Sequence, residues 1–102
     1  MKELDETNFD EAKNSNAILI VDFWAPWCGP CRAMAEVIAQ AALEIGDAAM
    51  VAKVNVDESP GLADEFGVQS IPTIIYFRNG KEVRRTVGMT TEADIIANVN
   101  QV

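Results

Sequence analysis

The sequence predicts an α/β domain in which a mixed sheet is flanked by helices. Three segments carry that expectation. Ala17-Ile18-Leu19-Ile20-Val21-Asp22-Phe23-Trp24 is almost continuously apolar, the pattern of a strand covered on both faces. Pro30 to Ile45 is alanine-rich and is followed by Gly46, the pattern of a long helix with its stop signal. Asn79-Gly80 separates two strand-like runs, Thr73–Arg78 and Lys81–Val87, and is a strong hairpin signal. Helices alternating with strands, plus one hairpin, give a sheet with both parallel and antiparallel pairs.

The remaining elements follow in order. Thr7 or Asn8 caps a short helix through Lys13, and Asn14-Ser15-Asn16 reads as a turn. Met50 to Asp57 reads as a second strand. Ser59-Pro60 opens a short helix closed by Gly67, with serine as cap and proline at the first helical position. Thr91 to about Gln101 forms the last helix, with Ile95, Ile96, Ala97 and Val99 as its apolar face.

A chain of 102 residues with 49% hydrophobic content fits a single domain spanning 1–102 and can bury a proper core. Its formal charge of -8 argues against nucleic acid, whose phosphates call for clustered Lys and Arg. No apolar run approaches the ~20 residues of a membrane span, so no membrane partner is expected. The opening Met1-Lys2-Glu3-Leu4-Asp5-Glu6 is acidic and lacks the apolar stretch of a signal peptide, so a reducing cytoplasm is the expected compartment. Nothing demands a dimer, and a monomer is expected. The absence of histidine removes Cys-His and Ser-His catalysis and the commonest transition-metal ligand.

The only two cysteines lie in Trp27-Cys28-Gly29-Pro30-Cys31, where the strand gives way to the long helix. Pro30 favours the first helical turn, which puts Cys28 at the helix N-terminus. There the positive end of the dipole and free backbone N–H groups stabilise a thiolate. Cys31 falls one turn on, on the same side and within reach of a disulfide. Cys28 is the expected outward-facing attacking thiol and Cys31 the inward-facing resolving one. A purely structural disulfide closing so small a loop would stabilise by only about 2 kcal/mol. Structural zinc would need four ligands, and the chain offers two thiols and no imidazole.

Other residues are singled out by their setting. Asp22 interrupts an apolar strand. Burial would raise its pKa, whereas a solvent-facing pleat would leave it ordinary. Lys53 interrupts the second strand and by itself reads as a snorkelling surface lysine. Pro72 begins a strand, where proline is tolerated. Trp24 reads as core behind the site, and exposed Trp27 as part of a docking patch.

Together these segments resemble the thioredoxin family. The resemblance covers nearly the whole chain and rests on Val21 through Cys31, Lys53 through Asp57, Phe66-Gly67-Val68-Gln69-Ser70-Ile71-Pro72-Thr73, and Val87-Gly88. It implies a thioredoxin-like fold, a central five-stranded mixed sheet flanked by four helices. The implied activity is general protein-disulfide reduction, with a redox-active Cys28–Cys31 disulfide, no bound cofactor or metal, and electrons supplied by a thioredoxin reductase. The resemblance places Asp22 beneath the dithiol, accepting the proton of Cys31 through water, with Lys53 beside it. It makes the Ile71-Pro72 bond cis and faces it toward the dithiol. Trp27, Gly29, Pro30, Ile71, Pro72, Gly88 and Met89 then form the docking surface for protein disulfides. Gly-Pro between the cysteines disfavours an isomerase, oxidase or glutaredoxin. A redox-independent binding module using the same patch is the rival from another class. One departure stands out: the family usually carries a proline five residues after the second cysteine, where this chain has Glu36. The helix should therefore run unkinked and fully hydrogen-bonded.

Overall fold

Backbone pairing places the apolar run at the centre of the molecule. The structure, a computed structural model, describes all 102 residues, Met1–Val102. Its elements are β1 (Lys2–Leu4), α1 (Phe9–Ser15), β2 (Ile18–Trp24), α2 (Gly29–Ile45), β3 (Met50–Asn55), α3 (Pro60–Glu65), β4 (Thr73–Arg78), β5 (Lys81–Val87) and α4 (Glu92–Gln101), with a 3₁₀ turn at Gly46–Ala48. The five strands lie in the order β1-β3-β2-β4-β5. β3 runs parallel to both β1 and β2, while β4 is antiparallel to β2 and to β5. This is the mixed five-stranded sheet with four helices that the sequence led us to expect.

Alternation along β2 divides the core in two. Leu19, Val21 and Phe23 pack on one side with Phe9 of α1, Leu62 of α3 and Phe77 of β4, and half-buried Phe66 joins them. Phe66 stands with its ring centroid 5.2 Å from that of Phe9 and 5.3 Å from that of Phe77. Ile20 lies on the other side with Met34, Ile38 and Ala41 of α2 and Ile95 and Val99 of α4. Asp22 is the next residue along that second face, so the strand's one carboxylate points toward α2. That direction follows from the two-residue period of a strand.

Several boundaries differ from the sequence reading, each for a local reason. β1 has no counterpart there; three residues make a strand only because Lys2, Glu3 and Leu4 find Ala52, Lys53 and Val54 to pair with. α1 runs on through Asn14 and Ser15, and the expected turn shrinks to Asn16, whose side-chain amide donates to Ala12 O at 2.8 Å. Asn8 stands at the N-cap without a side-chain cap bond, its Oδ1 accepting instead from Asp5 N. β3 stops at Asn55 rather than Asp57, because Asn55 Oδ1 accepts from the N–H groups of Asp57 and Glu58 and turns the chain. Ser59 occupies the N-cap of α3 but makes no side-chain cap bond. On α4, Ile95 and Val99 are buried and Ala97 is exposed, since it lies about 200° around the helix from either.

α2 carries the cysteines and runs unbroken for 17 residues, with Glu36 exposed on its outer face. The absent proline thus leaves a continuous helix, as expected. Replacing Glu36 by proline removes an interior hydrogen bond and introduces a clash. Glu36→Pro is expected to lower stability in urea unfolding by about 3 kcal/mol while keeping the dithiol–disulfide exchange rate within about twofold, because the first turn is untouched.

Candidate active site at the start of the long helix

Three peptide segments converge on the cysteines. The first is the β2–α2 junction. Cys28 is the N-cap of α2 in an extended conformation, and Cys31 N donates to Cys28 Sγ at 3.1 Å. The bond that starts the helix therefore ends on the sulfur, where the free N–H groups and helix dipole favour negative charge. Pro30 sits in the first turn, where its missing N–H costs nothing. The two cysteines form a disulfide with Cα atoms 5.2 Å apart.

The second segment is the turn before β4. The Ile71-Pro72 bond is cis, and Ile71 O lies 3.8 Å from Cys28 Sγ. Pro72 is buried, while Ile71 is half-buried and packs against the disulfide together with Trp24 and Val56. None of the backbone bonds outside helices and strands uses Ile71, so its N–H and C=O are open to an extended peptide. The third segment follows β5. Gly88 N donates to Pro72 O at 2.8 Å, which pins Gly88 beside the cis turn. Gly88 has φ +90°, a conformation glycine adopts without a steric penalty. Next to it Met89 is 60% exposed, and Trp27 across the site is 67% exposed. Gly29 and Pro30 are exposed in the first helical turn.

Cys28 is less open than the sequence suggested. It is 5% exposed and Cys31 2%, because Ile71 and the strand ends crowd both sulfurs. The cysteines differ more in what lies beneath them. A cavity of about 90 Å³ is lined by Cys31, Arg32 and Ala35 of α2, Asp22 and Trp24 of β2, Lys53 of β3, and Met1; Cys28 does not reach it. A space of that size with polar walls accommodates water.

Asp22 is buried, and its Oδ1 has no hydrogen-bond partner. Burial pushes its pKa up to about 7, against the pull of Lys53 and with a smaller push from Glu3. Lys53 lies opposite Asp22 in the parallel register but forms no ion pair with it. Its ammonium stands instead 4.9 Å from the centroid of the Trp24 ring, a cation–π contact. Trp24 packs against the cysteines, as expected, but is only half-buried: it also walls the cavity and bridges to Glu3, to whose Oε2 its Nε1 donates at 3.4 Å.

Of the residues singled out in the sequence, Cys28, Cys31, Trp24 and Ile71 pack together, and Asp22 and Lys53 line the cavity with Cys31. Gly88 is tied to Pro72 of the cis turn, and Trp27, Gly29, Pro30 and Met89 are exposed. Three further contacts have no counterpart in the sequence reading. Trp27 Nε1 donates to Asp57 Oδ2 at 2.9 Å, which orients the exposed indole. Thr90 N donates to the buried Met34 sulfur at 3.4 Å, anchoring the loop that carries Met89. Arg32 donates to Pro26 O at 2.9 Å. Asp57 follows an apolar strand, a setting that could have flagged it; Met34 carries no such signal in a run of alanine and isoleucine.

Comparison with known proteins agrees with this geometry. A family model described as Thioredoxin matches residues 1–101. A thioredoxin of Alicyclobacillus acidocaldarius is 41% identical over 99 residues, covering 97% of this chain and 94% of the relative. An M-type chloroplastic thioredoxin of Chlamydomonas reinhardtii is 43% identical over 97 residues, covering 95% of this chain and 69% of the relative. Among solved structures, a mutant thioredoxin from Halobacterium salinarum superposes with a TM-score of 0.90 at 34% identity, covering 98% of this chain and 88% of that one.

The raised pKa of Asp22 makes stability depend on pH. Its folded-state value, about 7, lies above the unfolded 3.8. Between those values the unfolded chain gives up the proton more readily, so stability falls as pH rises through the window and levels off above it. Asp22→Asn is expected to stabilise the protein by about 1–3 kcal/mol at pH 8, less than the full shift implies because the buried amide still lacks partners. The advantage should vanish below pH 4, which urea unfolding at the two pH values checks.

Proposed function

The chain belongs to the thioredoxin family, and on that premise we propose how its own residues carry out the exchange and with whom. The protein is a disulfide oxidoreductase that works by dithiol–disulfide exchange. In the proposed cycle the Cys28 thiolate attacks a sulfur of a substrate disulfide. The substrate S–S bond breaks, one substrate thiolate leaves, and a mixed disulfide joins Cys28 to the substrate. Cys31 then loses its proton toward Asp22 and attacks Cys28 Sγ. The second substrate thiolate departs and takes up a proton. Two electrons have passed to the substrate, and the Cys28–Cys31 disulfide remains to be reduced again.

The observation that carries this assignment is the difference between the two sulfurs. Cys28 Sγ lies at the helix N-terminus beside the open main chain of Ile71, while Cys31 faces the cavity that holds Asp22. Asp22 suits a proton acceptor because its pKa of about 7 lets it both take and release a proton near neutrality. Lys53 tunes that carboxyl group across the same cavity.

Substrate docking belongs to Trp27, Gly29, Pro30, Ile71, Pro72, Gly88 and Met89. An extended segment of the substrate pairs with the main chain of Ile71, and its apolar side chains meet Trp27 and Met89. Protein disulfides are the proposed substrates and a thioredoxin reductase the electron donor, with the protein acting as a monomer. No bound cofactor takes part in this cycle, because the Cys28–Cys31 pair itself holds the electrons. A reducing compartment, the cytoplasm, belongs to the same proposal, since such a pair serves as a donor only where it is kept reduced.

Cys31→Ser is expected to accumulate a stable mixed disulfide at Cys28 with protein substrates, seen as a dithiothreitol-sensitive adduct by mass spectrometry. An adduct absent there, or formed equally by Cys28→Ser, would sink the assignment of roles. The parent protein should reduce insulin with dithiothreitol and with NADPH plus a thioredoxin reductase. Activity with dithiothreitol alone would point to a different donor. A Cys28→Ser, Cys31→Ser double variant that kept full biological activity would favour a binding module instead.

A further inference from the structure

The cavity between Cys31 and Asp22 has a wall that the cycle above leaves without a role. Glu3, Lys53 and Asp22 stand side by side on three neighbouring strands: Glu3 pairs in register with Lys53, and Lys53 with Asp22. Partners in register on parallel strands point to the same face. Lys53 thus lies in register between two carboxylate-bearing residues, Glu3 exposed and Asp22 buried. A close ion pair with the buried one would be the electrostatically obvious outcome. It does not form. Lys53 rests over the Trp24 ring, and the indole N–H of Trp24 is held by Glu3.

We propose that Glu3 is a positioning residue for the proton step: it holds Trp24, and with it the ammonium of Lys53, away from Asp22. Without that restraint Lys53 would swing into the cavity and pair with the Asp22 carboxylate, fixing it in the ionised form and filling the space a relaying water needs. The other charged or titratable groups facing Asp22 are few. α2 contributes Cys31 and Arg32 around the cavity, and Arg32 is occupied by Pro26 O. Met1 also lines it. β4 presents Ile74 and α4 presents Ile95, neither of which titrates. The burial-raised pKa of Asp22, opposed by Lys53 and assisted by Glu3, agrees with this arrangement.

The inference rests on Asp22 as the proton acceptor, and the test separates the two. The rate of release of reduced substrate from the Cys28 mixed disulfide is followed against pH by rapid mixing. In the parent this rate should rise through a limb near neutrality, and Asp22→Asn should remove the limb. Glu3→Ala should move it to lower pH by about half a unit, a modest shift because Glu3 is exposed and screened by salt. Glu3→Gln, which keeps an acceptor for Trp24, should move it less. Combining Glu3→Ala with Lys53→Met should abolish most of the Glu3 effect, since Glu3 acts through Lys53.

A limb unaffected by Asp22→Asn would overturn the acceptor assignment, and this inference with it. A limb removed by Asp22→Asn but unmoved by Glu3→Ala would overturn the role of Glu3 alone. A Glu3→Ala shift that persisted undiminished with Lys53→Met would overturn the restraint of Lys53 in favour of direct repulsion.

Discussion

A carboxyl group buried without a hydrogen bond in the central strand is the constraint that organises this molecule. Asp22 occupies a position whose neighbours along the same face are core residues, and an aliphatic side chain there would pack against Ile38 and Ile74 at no electrostatic cost. The chain instead accepts a carboxyl group that burial makes reluctant to ionise, its pKa raised to about 7. That choice dictates much of what surrounds it. Lys53 must be near enough to moderate the carboxyl but not so near as to neutralise it. The cavity must stay open on the Cys31 side. α2 must lie along β2 so that its first turn reaches the strand's C-terminal end, where Cys31 and Asp22 line one cavity. The instability built in at Asp22 and the proton-acceptor role proposed for it rest on one placement.

The start of α2 meets a second requirement with the same atoms. A helix N-terminus exposes N–H groups that need acceptors. Serine, threonine or aspartate usually provides one, and here a cysteine sulfur does, accepting from Cys31 N. A neutral sulfur is a weak acceptor and a thiolate a good one. The helix is thus better capped in the reactive form than in the oxidised one. Local structure and reactivity favour the same charge state, without any cationic side chain touching the sulfur. The proline missing at position 36 has no part in this, since it would sit two turns beyond the sulfur.

What could be read from the sequence divides along physical lines. β2, α2 and the β4–β5 hairpin were legible because their signals are local: an apolar run, an alanine-rich stretch ended by glycine, and Asn79-Gly80. β1 was not, because three residues with one buried side chain have no periodicity, and only pairing with β3 makes them a strand. The end of β3 was misplaced because Asn55 spends its side chain on the following turn, which its position in an apolar run conceals. Within the site, the cysteines were evident from spacing. Asp22 was ambiguous, because strand alternation gives a face but not its cover. The contact between Trp24 and Glu3 was invisible, since it joins side chains 21 residues apart in sequence that the sheet brings together. Trp24 looked like core for the same reason: an indole at a strand end can fill space or wall a cavity, and only its neighbours decide.

The docking surface proposed beside Cys28 would suit a carrier that serves many proteins. A surface built from charged side chains would select partners by their charges. Here the polar groups offered beside Cys28 are the main-chain N–H and C=O of Ile71, which any extended segment can pair with whatever its sequence. The apolar contacts proposed for substrate are Trp27 and Met89, both exposed, one oriented by Asp57, the other flexible and adaptable to irregular shapes. Gly88 is bound to Pro72 through its own N–H, so the loop holds its place without presenting a side chain that could reject a partner. Discrimination then falls to whether a substrate can bring its disulfide, in extended backbone, to a sulfur that is only 5% exposed. On that proposal, tight access with permissive recognition would admit strained or exposed disulfides and leave buried structural ones alone.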